Sequence, residues 1–354
     1  MAEVWNPKEH SQIKESILEK YLAVWYMKIT YRFRRAYYVD TCSGPGVFDS
    51  GMQGSPMIAL KNAFKAWEKH PSCVYEFVFC DANADVLRRL EENVTNYLSS
   101  SEKGFRSAVR IRFHECDFLE QFDKILNEAK KNRTAAFLFI DPFNASTVPF
   151  DAIVKAMKGT STEVLFNFMH SDINRNKRLM NSEKTERIMG KGYDQEKLKS
   201  VSIIRDSFVS DLRERTGAYV MYYTMKTSSK SPLYDLIHLT KHCHGLSIMK
   251  EVMSSLSKSP HYFSNDERYA KDQLTILVQT SQDSFYEVLK NICGSREVRV
   301  ERLYNDIVCD DTLFWTKSSI LSQLRDLISS GRIELVAGPK TVNKNSIIRI
   351  TEET

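Results

Sequence analysis

No apolar run in the sequence approaches the roughly 18 residues that a membrane-spanning helix needs. The opening residues, MAEVWNPKEHSQIKES, lack the basic-then-apolar order of a secretory signal. Both absences point to a cytoplasmic protein with no membrane partner. Cysteine is sparse: seven occur, at Cys42, Cys73, Cys80, Cys116, Cys243, Cys293 and Cys309, and none forms a CxxC pair. An odd, scattered set argues against a disulfide framework or a zinc cluster and leaves reduced, mostly buried thiols as the expectation. The eight histidines show neither HExxH nor a paired Cys/His spacing, so no metal is expected. The run Lys241-His242-Cys243-His244 reads as a basic turn after a strand. An excess of one charge is also lacking, since a net charge of +5 permits a polyanionic partner without demanding one.

What remains is the composition of a packed globular chain, 42% hydrophobic and 27% charged, with 354 residues. That length suits one large α/β domain followed by a smaller one. In the segment from about Glu9 to Ile29, Ile13, Ile17, Leu18, Tyr21, Leu22, Trp25 and Ile29 recur at helical spacing. Short apolar strands then alternate with helices. The strands are Ala36–Val39, Val74–Cys80, Arg110–Phe113, Ala135–Ile140 and Glu163–Phe168. Such alternation predicts a parallel sheet covered on both faces. Tyr219–Met225 and Leu233–Thr240 are expected to pair as an antiparallel hairpin at the sheet edge, the ending that separates a methyltransferase-type sheet from a plain dinucleotide fold. A polar insertion at about 172–199 has few apolar anchors and is expected to be mobile. Past a weakly patterned stretch, three helices and a β-hairpin predict a winged helix. The expected domains are therefore residues 1–265, Rossmann-like, and 280–354, a winged helix-turn-helix.

Chemistry is expected where acids close successive strands, because open α/β sheets bind ligands at their carboxyl ends. Asp40 stands four residues before the Gly44-Pro45-Gly46 turn, whose glycines let the backbone approach a ligand closely. It can accept from the amino group of a methionine moiety or from a water. Asp81 can take both ribose hydroxyls and Asp117 the adenine amine, while Asp141 closes the fourth strand. Each acid taken alone also suits a helix N-cap or a turn; the ordered series favours a site. Asp141-Pro142-Phe143 resembles the (Asp/Asn/Ser)-Pro-Pro-aromatic motif of amino-methyltransferases, in which the polar group accepts from an exocyclic amine and the ring stacks on the base. Here the second proline is missing, and Pro142 also suits a simple turn. Asn144 and Asn167 can add polar contacts.

Two basic stretches are candidates for phosphate contact: Arg32, Arg34 and Arg35, interleaved with aromatics, and Arg175, Lys177 and Arg178 in the polar insertion. The first stretch also suits a solvated helix end. The segment from Ser284 onward balances ten Lys and Arg against ten Asp and Glu, so the winged helix suits a protein partner as well as DNA.

His10 with the helix through Lys14, Tyr21 and Trp25, then YVDTCSGPG, Gly54-Ser55-Pro56, FIDPFN, EVLFNF and LYDLIHLTKHCHGLSIMK, resemble the three-Cys-motif partner proteins over nearly the whole chain. The resemblance implies a Rossmann-type methyltransferase joined to a winged helix, accompanied by a radical-enzyme-like protein with three cysteines. It also implies Asp40, Ser43, Gly44, Gly46 and Asp141 as the residues facing S-adenosylmethionine. Two functions follow as expectations. One is a methyltransferase acting on nucleic acid, at a base amine; the other is a non-catalytic, methyltransferase-like scaffold in a repair or defence assembly.

Overall fold

The computed structural model describes residues 9–142, 144–145, 147–159, 161–193, 198–227, 231–259, 262–266, 274–294 and 296–351. It divides into two units, Met1–Lys241 and His242–Thr354. In the first unit α1 (Glu9–Ile29) precedes β1 (Arg35–Asp40), α2 (Ser55–Trp67), β2 (Val74–Asp81), α3 (Ala84–Ser100) and α4 (Lys103–Ala108). Next come β3 (Val109–Glu115), α5 (Phe118–Ala129), β4 (Thr134–Ile140), α6 (Phe150–Ala156) and β5 (Thr162–Phe168). Beyond β5 lie α7 (His170–Asn176), a 3-10 turn (Lys177–Leu179), α8 (Ser182–Met189), α9 (Val201–Thr216), β6 (Tyr219–Lys226) and β7 (Pro232–Thr240).

The seven strands form one sheet in the order β3-β2-β1-β4-β5-β7-β6. Strands β1 to β5 pair in parallel, and β7 runs antiparallel to both β5 and β6. A reversed strand inserted before the edge strand defines the Rossmann-like S-adenosylmethionine-dependent methyltransferase fold, as the terminal hairpin predicted. The order reverses between β1 and β4, so the connections leave these neighbours in opposite directions and open a crevice at their carboxyl ends.

Side chains alternate across the sheet, and the two faces differ in character. Tyr37, Val39, Val78, Ala136, Leu138 and Ile140 join a largely aliphatic core with residues from α5, α6, α8 and α9. The opposite face is aromatic. Tyr38 stacks on Phe137 with centroids 6.1 Å apart, and Tyr21 and Trp25 of α1 lie against the same Phe137 ring. Strands β4 and β5 are buried at every position, as strands covered on both faces must be.

The polar insertion differs from expectation. Within it Ile173, Met180, Ile188 and Met189 are buried in the aliphatic core, so its described part is anchored to the first unit by apolar side chains.

The second unit contains α10 (Cys243–Leu256), α11 (Leu274–Cys293), β8 (Val298–Arg299), α12 (Val300–Leu303) with a π-helical turn (Tyr304–Val308), α13 (Lys317–Ser329), β9 (Ile333–Ala337) and β10 (Ile347–Ile350). A three-stranded sheet, β8-β10-β9, completes the winged-helix order. The chain divides after Lys241 and not between 265 and 280, because α10 is bound to the later elements. Its Lys250 is buried and donates to the carbonyls of Asp310 (2.6 Å) and Ile307 (3.4 Å). Five cysteines are free thiols, three of them buried, as expected; Cys243 and Cys309 depart from that expectation and from the basic turn at 241–244, because Cys243 begins α10 and forms a disulfide with Cys309.

Candidate functional site

The loop after β1 is pinned to both neighbouring strands. Thr41 N–H donates to the Phe139 carbonyl (3.1 Å) and Ser43 N–H to that of Cys80 (2.9 Å). The Ser43 hydroxyl turns back to the Asp40 carbonyl at 3.1 Å. Gly44 and Gly46 have φ of 62° and 75°, where a side chain is strained. A Cβ on Gly44 would meet nothing within 4 Å, whereas one on Gly46 would meet Leu90 Cδ1 at 2.6 Å. Gly44 therefore faces open space at the crevice, and Gly46 is a packing position against α3. Gly54, at the start of α2, closes the loop by donating to the Gly46 carbonyl at 2.8 Å.

Asp81, at the end of β2, accepts from Gly44 N–H (3.0 Å) and from Asn83 N–H (2.9 Å). It thus holds the glycine turn while lying at the crevice edge. Asp117 is exposed and caps α5 by accepting from Leu119 N–H at 3.0 Å, so its helix-capping role is realised. Asp40 is fully buried and accepts from Tyr38 OH (3.2 Å) and Cys42 N–H (3.4 Å). Burial pushes its carboxyl up to about 7. Burial likewise pushes the neighbouring Cys42 thiol well up, which removes it as a ready nucleophile.

Asp141 follows β4 and is engaged through both oxygens. Oδ2 pairs with Lys14 Nζ of α1, and Oδ1 accepts from Asn167 Nδ2 of β5 at 2.8 Å. Pro142 is buried behind it; Phe143 lies outside the described residues. Asn144 is exposed and accepts from the Thr147 hydroxyl at 3.0 Å. Lys14 and Glu15 are the site residues that sequence reasoning missed. Lys14 sits at i, i+4, i+7 and i+11 with Leu18, Tyr21 and Trp25, and Glu15 at i+3 and i+7 with Leu18 and Leu22. A charge on an otherwise apolar stripe was the available signal. Glu15 is buried, its Oε2 has no hydrogen-bond partner among the described residues, and burial, with Asp141 and Asp40 nearby, pushes its carboxyl up to about 8.

The two basic stretches occupy opposite ends of the sheet. Arg35 begins β1 and Asp40 ends it, about 17 Å apart in an extended strand. The expectation of phosphate contact at Arg35 is corrected: its guanidinium grips Glu76 from Nε (2.6 Å) and Nη2 (2.5 Å) and also pairs with Glu128 (2.6 Å). Arg32 and Arg34 are exposed beside it, at the amino edge and away from the crevice. Arg175, Lys177 and Arg178 follow β5 at the carboxyl end. Arg175 is 72% exposed, Arg178 is exposed, and Lys177 donates to the Lys199 carbonyl at 2.8 Å.

Among the described residues, no group of three His, Cys, Asp or Glu is arranged to hold a metal ion, and no helix is long and apolar enough to cross a membrane.

No family model matches the chain, and no curated protein matches it. Several solved structures are similar in part. A Legionella pneumophila protein of the DUF519 family is 12% identical with a TM-score of 0.43, covering 72% of this chain and 92% of its own. The methyltransferase domain of a bacterial Hen1 protein is 12% identical with a TM-score of 0.34, covering 64% and 99%. MnmC2 from Aquifex aeolicus is 13% identical with a TM-score of 0.32, covering 73% and 71%.

Proposed function

We propose that the first unit binds S-adenosylmethionine in the crevice between the carboxyl ends of β1, β2 and β4 and transfers its methyl group to a base amine of a nucleic acid. The observation that carries this reading is the glycine turn. Gly44 presents bare backbone to open space while Asp81 fixes that backbone from the next strand. When bound, the cofactor supplies an activated methyl group. Asp40 and Ser43 would bound its amino-acid end, Asp81 would accept from ribose hydroxyls through its remaining lone pairs, and Asp117 would approach the adenine. Asp141, paired with Lys14, would accept from the amine and orient it. Arg175, Lys177 and Arg178, on the crevice side of the sheet, would meet phosphates. The resemblance to the three-Cys-motif partner proteins adds a three-cysteine protein as the expected companion.

A second reading rests on Asp141 itself. Both of its oxygens are already engaged, by Lys14 and Asn167, which suits a scaffold that keeps the fold and lacks the reaction. Thermal stabilisation by S-adenosylhomocysteine tests the first step, because a ligand of the native state stabilises it by mass action. Transfer of labelled methyl to RNA or DNA tests the second. Stabilisation without transfer to either polymer selects the scaffold, and no stabilisation at millimolar ligand overturns the cofactor site.

A further inference from the structure

Lys14 and Glu15 are adjacent on α1 and face the same buried corner, yet their partners differ. Lys14 is committed to Asp141, so its charge is already balanced. Among the described residues, Glu15 Oε2 has no hydrogen-bond partner in the interior, although buried polar atoms are nearly always hydrogen-bonded. The groups that act on Glu15 come from every element around it: Lys14 from its own helix, Asp40 and Tyr38 from β1, Asp141 from β4 and Tyr234 from β7. One cation thus stands among three carboxyls, and it is already paired.

A buried acidic corner with an orphaned oxygen calls for a positive ligand group. A metal ion is disfavoured, since among the described residues the donors around it do not converge as a ligand set. An alkylammonium fits better, being a compact cation with three donors. Asp40 ends β1 directly before the glycine turn, so a ligand lying along Gly44 brings its adjacent end to this corner.

We propose that Glu15 and Asp40 together seat the ammonium group of an amino-acid-bearing nucleoside, with Glu15 supplying the second carboxylate from outside the sheet. The inference rests on the reading of this crevice as the S-adenosylmethionine site and names the contact that recognises its amino-acid end. A proton linkage follows. The free protein holds protons on these carboxyls near neutrality, and an entering ammonium displaces them. Affinity for the ammonium-bearing ligand therefore rises with pH until both carboxyls ionise without help.

The test compares S-adenosylhomocysteine with 5′-methylthioadenosine, which keeps the nucleoside and thioether and lacks the amino acid, by calorimetry of the full chain at pH 6, 7 and 8. The expected result is S-adenosylhomocysteine binding that tightens across this range and 5′-methylthioadenosine binding that does not change. Glu15→Gln is expected to weaken S-adenosylhomocysteine about 10–100-fold, the cost of losing one charged hydrogen bond, and to leave 5′-methylthioadenosine unaffected. If the wild-type protein binds both ligands and neither pH nor Glu15→Gln separates them, the ammonium seat is overturned and the cofactor site stands. If it binds neither, the cofactor reading fails and the seat fails with it. The wild-type pH comparison needs no variant, so a misfolded Glu15→Gln chain would leave the test intact.

Discussion

Lys14 and Asp141 lie 127 residues apart in sequence and form an ion pair that fastens the first helix over the end of β4. The Lys14 and Asp141 side chains are only 11% and 18% exposed, so water can do little for either charge once its partner is gone. Lys14→Ala should destabilise the first unit by about 3 kcal/mol, the scale for an orphaned buried charge. Lys14→Met combined with Asp141→Asn should recover most of that loss. Urea denaturation of the three proteins checks both statements, and equal stability of the single and double variants would show that the pair is not what matters.

The two turn glycines should respond differently to one added methyl. Gly44→Ala carries only the left-handed backbone cost of about 1–2 kcal/mol, because its Cβ would enter open space. Gly46→Ala adds a collision with Leu90 and should lose more stability. Thermal melts rank the pair. S-adenosylhomocysteine should no longer raise the melting temperature of Gly44→Ala, since the methyl occupies the space a ligand would use.

Glu15 and Asp40 also make stability depend on pH. Their ordinary values, 4.5 and 3.8, rise on folding to about 8 and about 7. Between those limits the folded chain binds more protons than the unfolded one, so its stability falls as pH rises, by up to about 1.4 kcal/mol per pH unit for each proton held. Urea midpoints should decrease from pH 5 to pH 9, and Glu15→Gln should flatten the decline.

Reversing Arg175, Lys177 and Arg178 together should weaken nucleic-acid binding and reduce its salt slope by up to about 2.7, at 0.9 per phosphate contact. Arg35→Ala should instead lower stability and leave the slope unchanged, since Arg35 is spent on Glu76 and Glu128. Filter binding across a salt series distinguishes the two stretches.

The sheet was legible because its strands announce themselves: AAFLFI and EVLFNF are apolar throughout, and acids mark where four of the strands end. The corner around Glu15 was not, because helix periodicity places a residue on a face without saying what lies beneath it. Only the meeting of α1 with the ends of β1 and β4 turns Lys14 and Glu15 from helix charges into site residues. Arg35 failed for the complementary reason. In sequence it belongs to a basic run, but its carboxylate partners stand 41 and 93 positions away. The anchors of the polar insertion were missed because Ile173, Met180, Ile188 and Met189 are too widely spaced among polar residues to read as one stripe.

The Cys243–Cys309 disulfide joins cysteines 66 positions apart in the chain. In chain-entropy terms such a closure is worth about 4 kcal/mol to the second unit. It also closes residues 243–309 into a ring: a single protease cut anywhere between residues 243 and 309 yields two strands of polypeptide that migrate as one. They part only when a reductant opens the bond, so α10 stays covalently joined to the winged-helix elements even after the backbone between them is severed.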